Sequence, residues 1–335
     1  MMRLTFEQIK QISFGAYAVT QQENGIRYQR CTDKQIEAWG KLHHDLGERA
    51  TYSSGISLDF HTSSKKLRIA TIGGGQFEYY INGVLRAIVT MKEICVDGKC
   101  FELSLCDPLG DELGECRVTV CFPRGNSPVV IDYVELDDGA SFAPHKYDSK
   151  MLFYGDSITQ GYSSVNHSHC YARMVSSFFN AEYYNLGIGG GRFDISTVDD
   201  VGYEPDTVVI AFGTNDFTHH KTLEALKAKA DEFMGAVKEL HKGTAKNFFV
   251  ISPLWRADLE KWVANEEKGR TLSSLAHARA AIIECAEKHG MIHINGLELV
   301  PPFPEYFRDE YLHPNDLGFC LYTQGVIKEM RKYIK

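Results

Sequence analysis

The chain has 335 residues, a length that suits two domains better than one core. Apolar residues make up 44% and charged residues 24%, and the net charge of −8 is spread along the chain, which argues against the basic stripe of a nucleic-acid-binding face. No run of about 18 apolar residues occurs, which excludes an apolar membrane-spanning helix, so neither nucleic acid nor membrane is expected as a partner. Residues 1–25 are mixed and polar, without the apolar core of a secretory signal, and the nine cysteines form no CxxC pair. The expectation is a cytoplasmic protein with reduced thiols.

Residues from about 26 to 136 read as strands. Phe77-Glu78-Tyr79-Tyr80-Ile81 runs into Asn82-Gly83 and then Val84-Leu85-Arg86-Ala87-Ile88-Val89. Asn-Gly between two β-rich runs predicts a type I′ hairpin, because both central residues must take positive φ. Val96-Asp97-Gly98-Lys99 repeats the device before a run at 101–105, and further strand-like runs follow at 116–122 and 129–136. Several alternate apolar with polar, the mark of strands with one buried face. No long amphipathic helix interrupts them after residue 50. The expectation is an antiparallel, jelly-roll-like β-sandwich over residues 1–140.

Residues 141–150 read as a linker, and from 151 the texture changes. Strand-like runs at 151–154, 182–186, 207–212, 247–252 and 291–294 alternate with helical ones. Leu223, Leu226, Ala230, Phe233, Val237 and Leu240 recur at helical spacing, as do Leu272, Leu275, Ile282, Ile283 and Ala286, with Arg279 breaking the second apolar face. Such alternation predicts a parallel sheet covered by helices on both faces over residues 151–335. Functional loops gather at the carboxyl ends of the strands in such a sheet.

Four blocks fall there. Gly155-Asp156-Ser157-Ile158-Thr159-Gln160-Gly161 follows the first run, Asn185-Leu186-Gly187-Ile188-Gly189-Gly190-Gly191 the second and Gly213-Thr214-Asn215-Asp216 the third; Asp309-Glu310-Tyr311-Leu312-His313-Pro314-Asn315 comes after the last. Ser157 at a strand exit is placed to be an exposed nucleophile, and a serine hydroxyl needs a base. His313 ranks first of the 13 histidines because it has a loop of its own, before a final helix that Asn315 or Asp316 could cap. His219-His220 is the nearest rival. The attacked carbonyl becomes an oxyanion, for which the Ser157 N–H, a glycine N–H in 189–191 and the Asn215 amide are candidate donors. The plain alternatives are a tight turn at 187–191 and a helix cap at 213–216. A dinucleotide fingerprint fails, since Arg192 stands where its third glycine belongs.

As a set these blocks resemble the SGNH/GDSL hydrolase superfamily, and the resemblance covers residues 151–335. The resemblance implies a flavodoxin-like three-layer α/β/α domain that uses no metal or cofactor. It implies Ser157 as nucleophile and donor, Gly190 as second donor, Asn215 as third and His313 as base. Gly190 follows because Asn185 opens the family's second block and the donor glycine lies five residues on. The family's orienting aspartate stands three residues before the histidine; here that position is Glu310, with Asp309 one step earlier. Asp309 keeps the usual side-chain length and a bulged loop would absorb the extra residue; Glu310 reaches one methylene further, so either could orient His313.

A sandwich ahead of such a domain is similar to the two-domain carbohydrate esterases, including acetyl xylan esterases of family two. The resemblance implies a small-molecule or oligosaccharide ester as substrate, with acetyl as the acyl group. Trp255, after another strand end, could stack on a sugar ring or simply pack; Tyr162 and Tyr171 are weaker versions of the same idea. Three other readings stay open: a non-catalytic carbohydrate-binding protein, a lipase or thioesterase for longer acyl chains, and an acyltransferase.

Overall fold

The computed structural model describes residues 1–72, 75–90, 100–125, 128–257 and 274–334. The chain divides into two compact units, one made of Met1–Cys31 with Thr51–Tyr147 and the other of Thr32–Ala50 with Asp148–Lys335. The proposed repeat of the hairpin signal at 96–99 and the helical position Leu272 lie outside the described residues.

The first unit is a sandwich of two antiparallel sheets. One runs Ala18–Gln22, Gly25–Gln29, Val130–Leu136, Lys66–Ile72, Phe101–Ser104, with Met2–Arg3 also on Val130–Leu136. The other runs Phe142–Pro144, Ser57–Thr62, Cys116–Cys121, Gln76–Ile81, Val84–Thr90, with Ser13–Phe14 also on Ser57–Thr62. Both sheets send side chains into one core: Leu67, Ile69 and Val134 from the first, Phe60, Phe77 and Val118 from the second. Each such side chain contributes about 1.5–3 kcal/mol on burial. The hairpin at Asn82-Gly83 forms as expected, with φ of 49° and 78°. In Val130–Leu136 a bulge between Ile131 and Tyr133 shifts the pairing register, which is why Ile131, Val134 and Leu136 all face inward despite their uneven spacing.

Two boundaries differ from the sequence reading. Residues 141–150 are not a free linker: Phe142–Pro144 is an edge strand on Ser57–Thr62, with the Phe142 ring against Phe60, and Ser149 already begins the next sheet. Residues 32–50, expected in the sandwich, form two helices, Asp33–Leu42 and His44–Ala50, packed into the second unit. The first is started by a capping box in which Thr32 and Gln35 satisfy each other's backbone N–H.

The second unit holds a five-stranded parallel sheet in the order Ala181–Gly187, Ser149–Gly155, Thr207–Ala211, Asn247–Ile251, Ile292–Ile294. Its three central strands are buried on both faces over residues 151–155, 208–210 and 248–251 and read there as apolar runs, whereas Glu182 and His293 interrupt the two edge strands. Met151, Phe153, Val209 and Phe249 pack under the helices Tyr171–Phe178 and Asp316–Met330. On the opposite face Tyr154 meets Phe233 edge-on, from the helix Leu223–His241. Arg279, the break in the apolar face of Leu275–Lys288, is buried and donates to the carbonyls of Pro253 and Leu254, so it anchors the loop beyond the fourth strand. With this strand order the connections leave Ser149–Gly155 and Thr207–Ala211 toward opposite faces, opening a crevice at the ends of these two central strands.

Candidate active site

The first block turns from strand into the short helix Ser157–Gln160. Asp156 caps it by accepting the Ile158 N–H at 2.9 Å, and Gly161, at φ 89°, ends it. Ser157 is the first helical residue, only 8% exposed. Its Oγ lies 2.8 Å from His313 Nε2. His313 Nδ1 lies 2.6 Å from Asp309 Oδ2. With Nδ1–H donating to the carboxylate, Nε2 is left as the acceptor for the Ser157 hydroxyl.

The loop that carries this imidazole is built to hold it. An antiparallel bridge joins Phe307 to Pro314, and the Arg308 N–H donates to the His313 carbonyl at 2.8 Å. Glu310 sits at the tip in the left-handed region, φ 67°, with its side chain exposed. That residue absorbs the extra position in the motif, and the turn it makes brings Asp309, not Glu310, onto His313. Asp309 Oδ1 accepts the backbone N–H groups of Tyr311, Leu312 and His313 at 3.3, 2.9 and 3.0 Å. Burial pushes the Asp309 carboxyl up, but the Leu312 and His313 N–H groups and the imidazole outweigh it and hold the group below its ordinary value. Asn315 caps the final helix through the Gly318 N–H at 3.0 Å. The rival pair ends elsewhere: His220 Nε2 stands 3.6 Å from Asp216 Oδ1.

The second block is tied to the first by side chains. Asn185, fully buried, donates to the Thr159 carbonyl at 2.9 Å and accepts the Gly187 N–H at 2.7 Å. Gln160 Oε1 accepts the Gly189 N–H at 2.7 Å, and the Gly191 N–H donates to the Ile188 carbonyl at 2.7 Å. Two of the three glycine donors are thus committed, and among the described residues no acceptor is seen for the third, on Gly190. Gly190 has φ 83°, a conformation side chains rarely adopt. Asn215 follows the third strand; one of its two amide hydrogens is held by the Gly191 carbonyl at 3.0 Å, which orients the other. A hydroxyl–imidazole–carboxylate chain and a cluster of N–H donors thus come from loops far apart in sequence.

Charge below the site is arranged around Asp156. Burial pushes its carboxyl up to about 7; the Ile158 N–H works against this, Asp216 adds to it and Arg256 opposes it. A cavity of about 20 Å³ lies there, lined among others by Asp156, Thr214, Ser252 and Tyr322.

The aromatic candidates divide. Tyr162, 53% exposed, sets its ring against the His313 imidazole with centroids 4.8 Å apart. Trp255 is partly buried and packs on Phe307, 5.3 Å between centroids, so it supports the His313 loop. Tyr171 is a correction: it is fully buried and bonded to Thr159 Oγ1 at 2.9 Å, which rules it out as a sugar platform.

Two contributors were not foreseen. Gln160 belongs to the first block, and its clamp on Gly189 could have been suspected from that position alone. Arg49, whose Nη1 donates to the Gly189 carbonyl at 2.6 Å, lies far upstream in a stretch assigned to the sandwich. The capping-box pattern at Thr32–Gln35 announces a helix there, but nothing in it announces the destination.

The family model that describes GDSL-like lipases and acylhydrolases matches residues 153–319. Residues 153–319 are a GDSL-like lipase/acylhydrolase domain. The protein is accordingly a carboxylic ester hydrolase. No curated protein sequence matches the chain. Solved structures with a similar fold include the salicylyl-acyltransferase SsfX3 from a tetracycline biosynthetic pathway, 16% identical, with a TM-score of 0.78 over 96% of this chain and 94% of that one. A family two carbohydrate esterase from Cellvibrio japonicus is 14% identical, with a TM-score of 0.64 over 97% of this chain and 96% of its own. The family two esterase from Clostridium thermocellum in complex with cellohexaose is 14% identical, with a TM-score of 0.64 over 95% and 98%. At these identities the likeness is one of fold, the sandwich followed by the acylhydrolase domain. Among the described residues no three His, Cys, Asp or Glu side chains are grouped to hold a metal ion, and no helix is long and apolar enough to cross a membrane.

Proposed function

We propose that the acylhydrolase domain is a serine esterase that removes an acyl group, acetyl as the class, from a carbohydrate or similar small polar ester. The observation that carries this is the continuous chain Asp309–His313–Ser157, with bonds of 2.6 and 2.8 Å. Ser157 Oγ attacks the ester carbonyl while its proton passes to His313 Nε2. The Asp309 carboxylate, already ionised by its surroundings, balances the imidazolium. The negative oxygen of the tetrahedral intermediate is received by the N–H groups of Ser157 and Gly190 and by the Asn215 amide. Collapse expels the alcohol, which takes the proton from His313 and leaves acyl-Ser157. Water then attacks with His313 as base, releasing the acid and restoring the hydroxyl.

A polar alcohol such as a sugar is favoured by the exposed Tyr162 ring beside His313, since an aromatic face next to the leaving alcohol suits a sugar ring. The similar fold of the esterase with bound cellohexaose supports the same substrate class.

The test compares a chromogenic acetyl ester and acetylated sugars on the wild type and Ser157→Ala. We expect loss on the order of 10³-fold or more in kcat. Equal rates in the two proteins would end the reading. A nitrophenyl series that peaks at octanoyl or longer would replace acetyl with a lipase substrate, and binding of sugar without turnover of any ester would make the site non-catalytic.

A further inference from the structure

The peptide unit between Gly189 and Gly190 has two ends. Its N–H, on Gly190, is the donor assigned above to the oxyanion. Its carbonyl, on Gly189, accepts from Arg49 Nη1 at 2.6 Å. No peptide bond among the described residues is cis, so the carbonyl and N–H of this unit lie in one plane and point in opposite directions. Whatever holds the carbonyl therefore aims the N–H. We propose that Arg49 is a positioning residue of the oxyanion site, fixing the 189–190 peptide and polarising its N–H toward the ester oxygen. This deepens the esterase reading and rests on it.

Three physical points support the role. A bond from guanidinium to a carbonyl is charge-assisted, roughly twice as strong as a neutral one. It draws electron density to the carbonyl oxygen and leaves the N–H across the amide a better donor. The peptide also has reason to flip, because glycines on both sides tolerate either sign of φ. Flipped, it would turn a carbonyl dipole toward the developing negative charge. Arg49 opposes the flip, since the flipped unit would present an N–H to its guanidinium. The neighbouring peptides are restrained by other means: Gln160 holds the Gly189 N–H and the Ile188 carbonyl holds the Gly191 N–H.

Arg49 is itself well anchored. Its helix packs Leu46 against the turn, and both Leu46 Cδ2 and Arg49 Nη1 lie 3.2 Å from the position a Gly190 Cβ would occupy. The preceding helix is fastened to the segment after the turn by Thr32 Oγ1 on Asp199 at 2.7 Å and Gln35 Nε2 on the Thr197 carbonyl at 3.1 Å. The short helix pair thus delivers a cation to the back of one oxyanion donor.

The experiment measures kcat and KM on a small acetyl ester for wild type, Ser157→Ala, Arg49→Met, Arg49→Lys and Arg49→Ala, with thermal melting of each. Arg49→Met should lower kcat about 10- to 100-fold with KM changed less than about threefold. Arg49→Lys should keep an intermediate rate, and millimolar methylguanidinium should restore part of the activity of Arg49→Ala. Wild-type kcat in Arg49→Met, or a change confined to KM, would overturn the proposal. If Arg49→Met melts early, the soluble fraction of Arg49→Ala decides: rescue supports the role and no rescue overturns it. An active Ser157→Ala would instead bring down the esterase reading, whereas an inactive Ser157→Ala beside an unimpaired Arg49→Met would remove this inference alone.

Discussion

Replacing Asp309 by asparagine tests the site more sharply than removing its side chain. In the wild type Oδ1 accepts three backbone N–H groups, from Tyr311, Leu312 and His313, while Oδ2 faces His313 Nδ1. An asparagine must place its one oxygen against those three donors, because an NH₂ there would meet three N–H groups head-on. The NH₂ is then forced toward Nδ1, where it donates. That selects the tautomer with its proton on Nε2, which cannot take the Ser157 proton. The expected loss is on the order of 10⁴-fold in kcat, the size of a tautomer trap in such triads. Asp309→Ala lacks the trap and loses the carboxylate's bond to the imidazolium, about 1.5–3 kcal/mol or roughly 10- to 150-fold. Glu310→Gln should stay within about twofold, since its side chain is exposed at the loop tip. The assay is kcat on an acetyl ester, with melting temperatures to exclude loop collapse. Asp309→Asn keeping more than about a tenth of wild-type activity, or Glu310→Gln falling as far as Asp309→Ala, would refute the argument.

Gly155→Ala should destabilise by about 1–3 kcal/mol and lower activity, because its Cβ would lie 2.0 Å from Thr159 Oγ1, 2.6 Å from Thr159 Cβ and 3.0 Å from the Ala211 carbonyl; a wild-type melting temperature and kcat in this variant would count against the reasoning. Asp156 has a folded pKa raised from 3.8 to about 7, so between those values the folded chain holds the extra proton and stability falls as pH rises through the window, by about 3 kcal/mol between pH 5 and 8. Asp156→Asn keeps an oxygen for the Ile158 N–H and should flatten that part of the profile in urea unfolding; an unchanged difference between pH 5 and pH 8 would show that burial does not control Asp156.

Several features were legible in the sequence because their causes are local. Asn82-Gly83 sets its own turn, the apolar runs from 151 onward mark strands buried on both faces, and the four blocks sit where a parallel sheet must carry its functional loops. Ser157 and His313 could be paired from such signals. The choice between Asp309 and Glu310 could not, because it depends on Glu310 taking positive φ so that Asp309 collects three N–H groups, a property of the closed loop. The residues alone leave the donor open among Gly189, Gly190 and Gly191; the family spacing from Asn185 points to Gly190, and the structure adds the physical reason by committing the N–H groups of the other two.

The order of residue types along the chain determines where strands start and stop, which loops leave their carboxyl ends and what chemistry those loops carry, since turn sterics and hydrophobic period act over a few residues. It does not determine which distant segments share a core. Residues 32–50 join the acylhydrolase domain, and Arg49 reaches the Gly189 carbonyl, because packing and hydrogen-bond satisfaction are settled in three dimensions, between groups that no short-range pattern links.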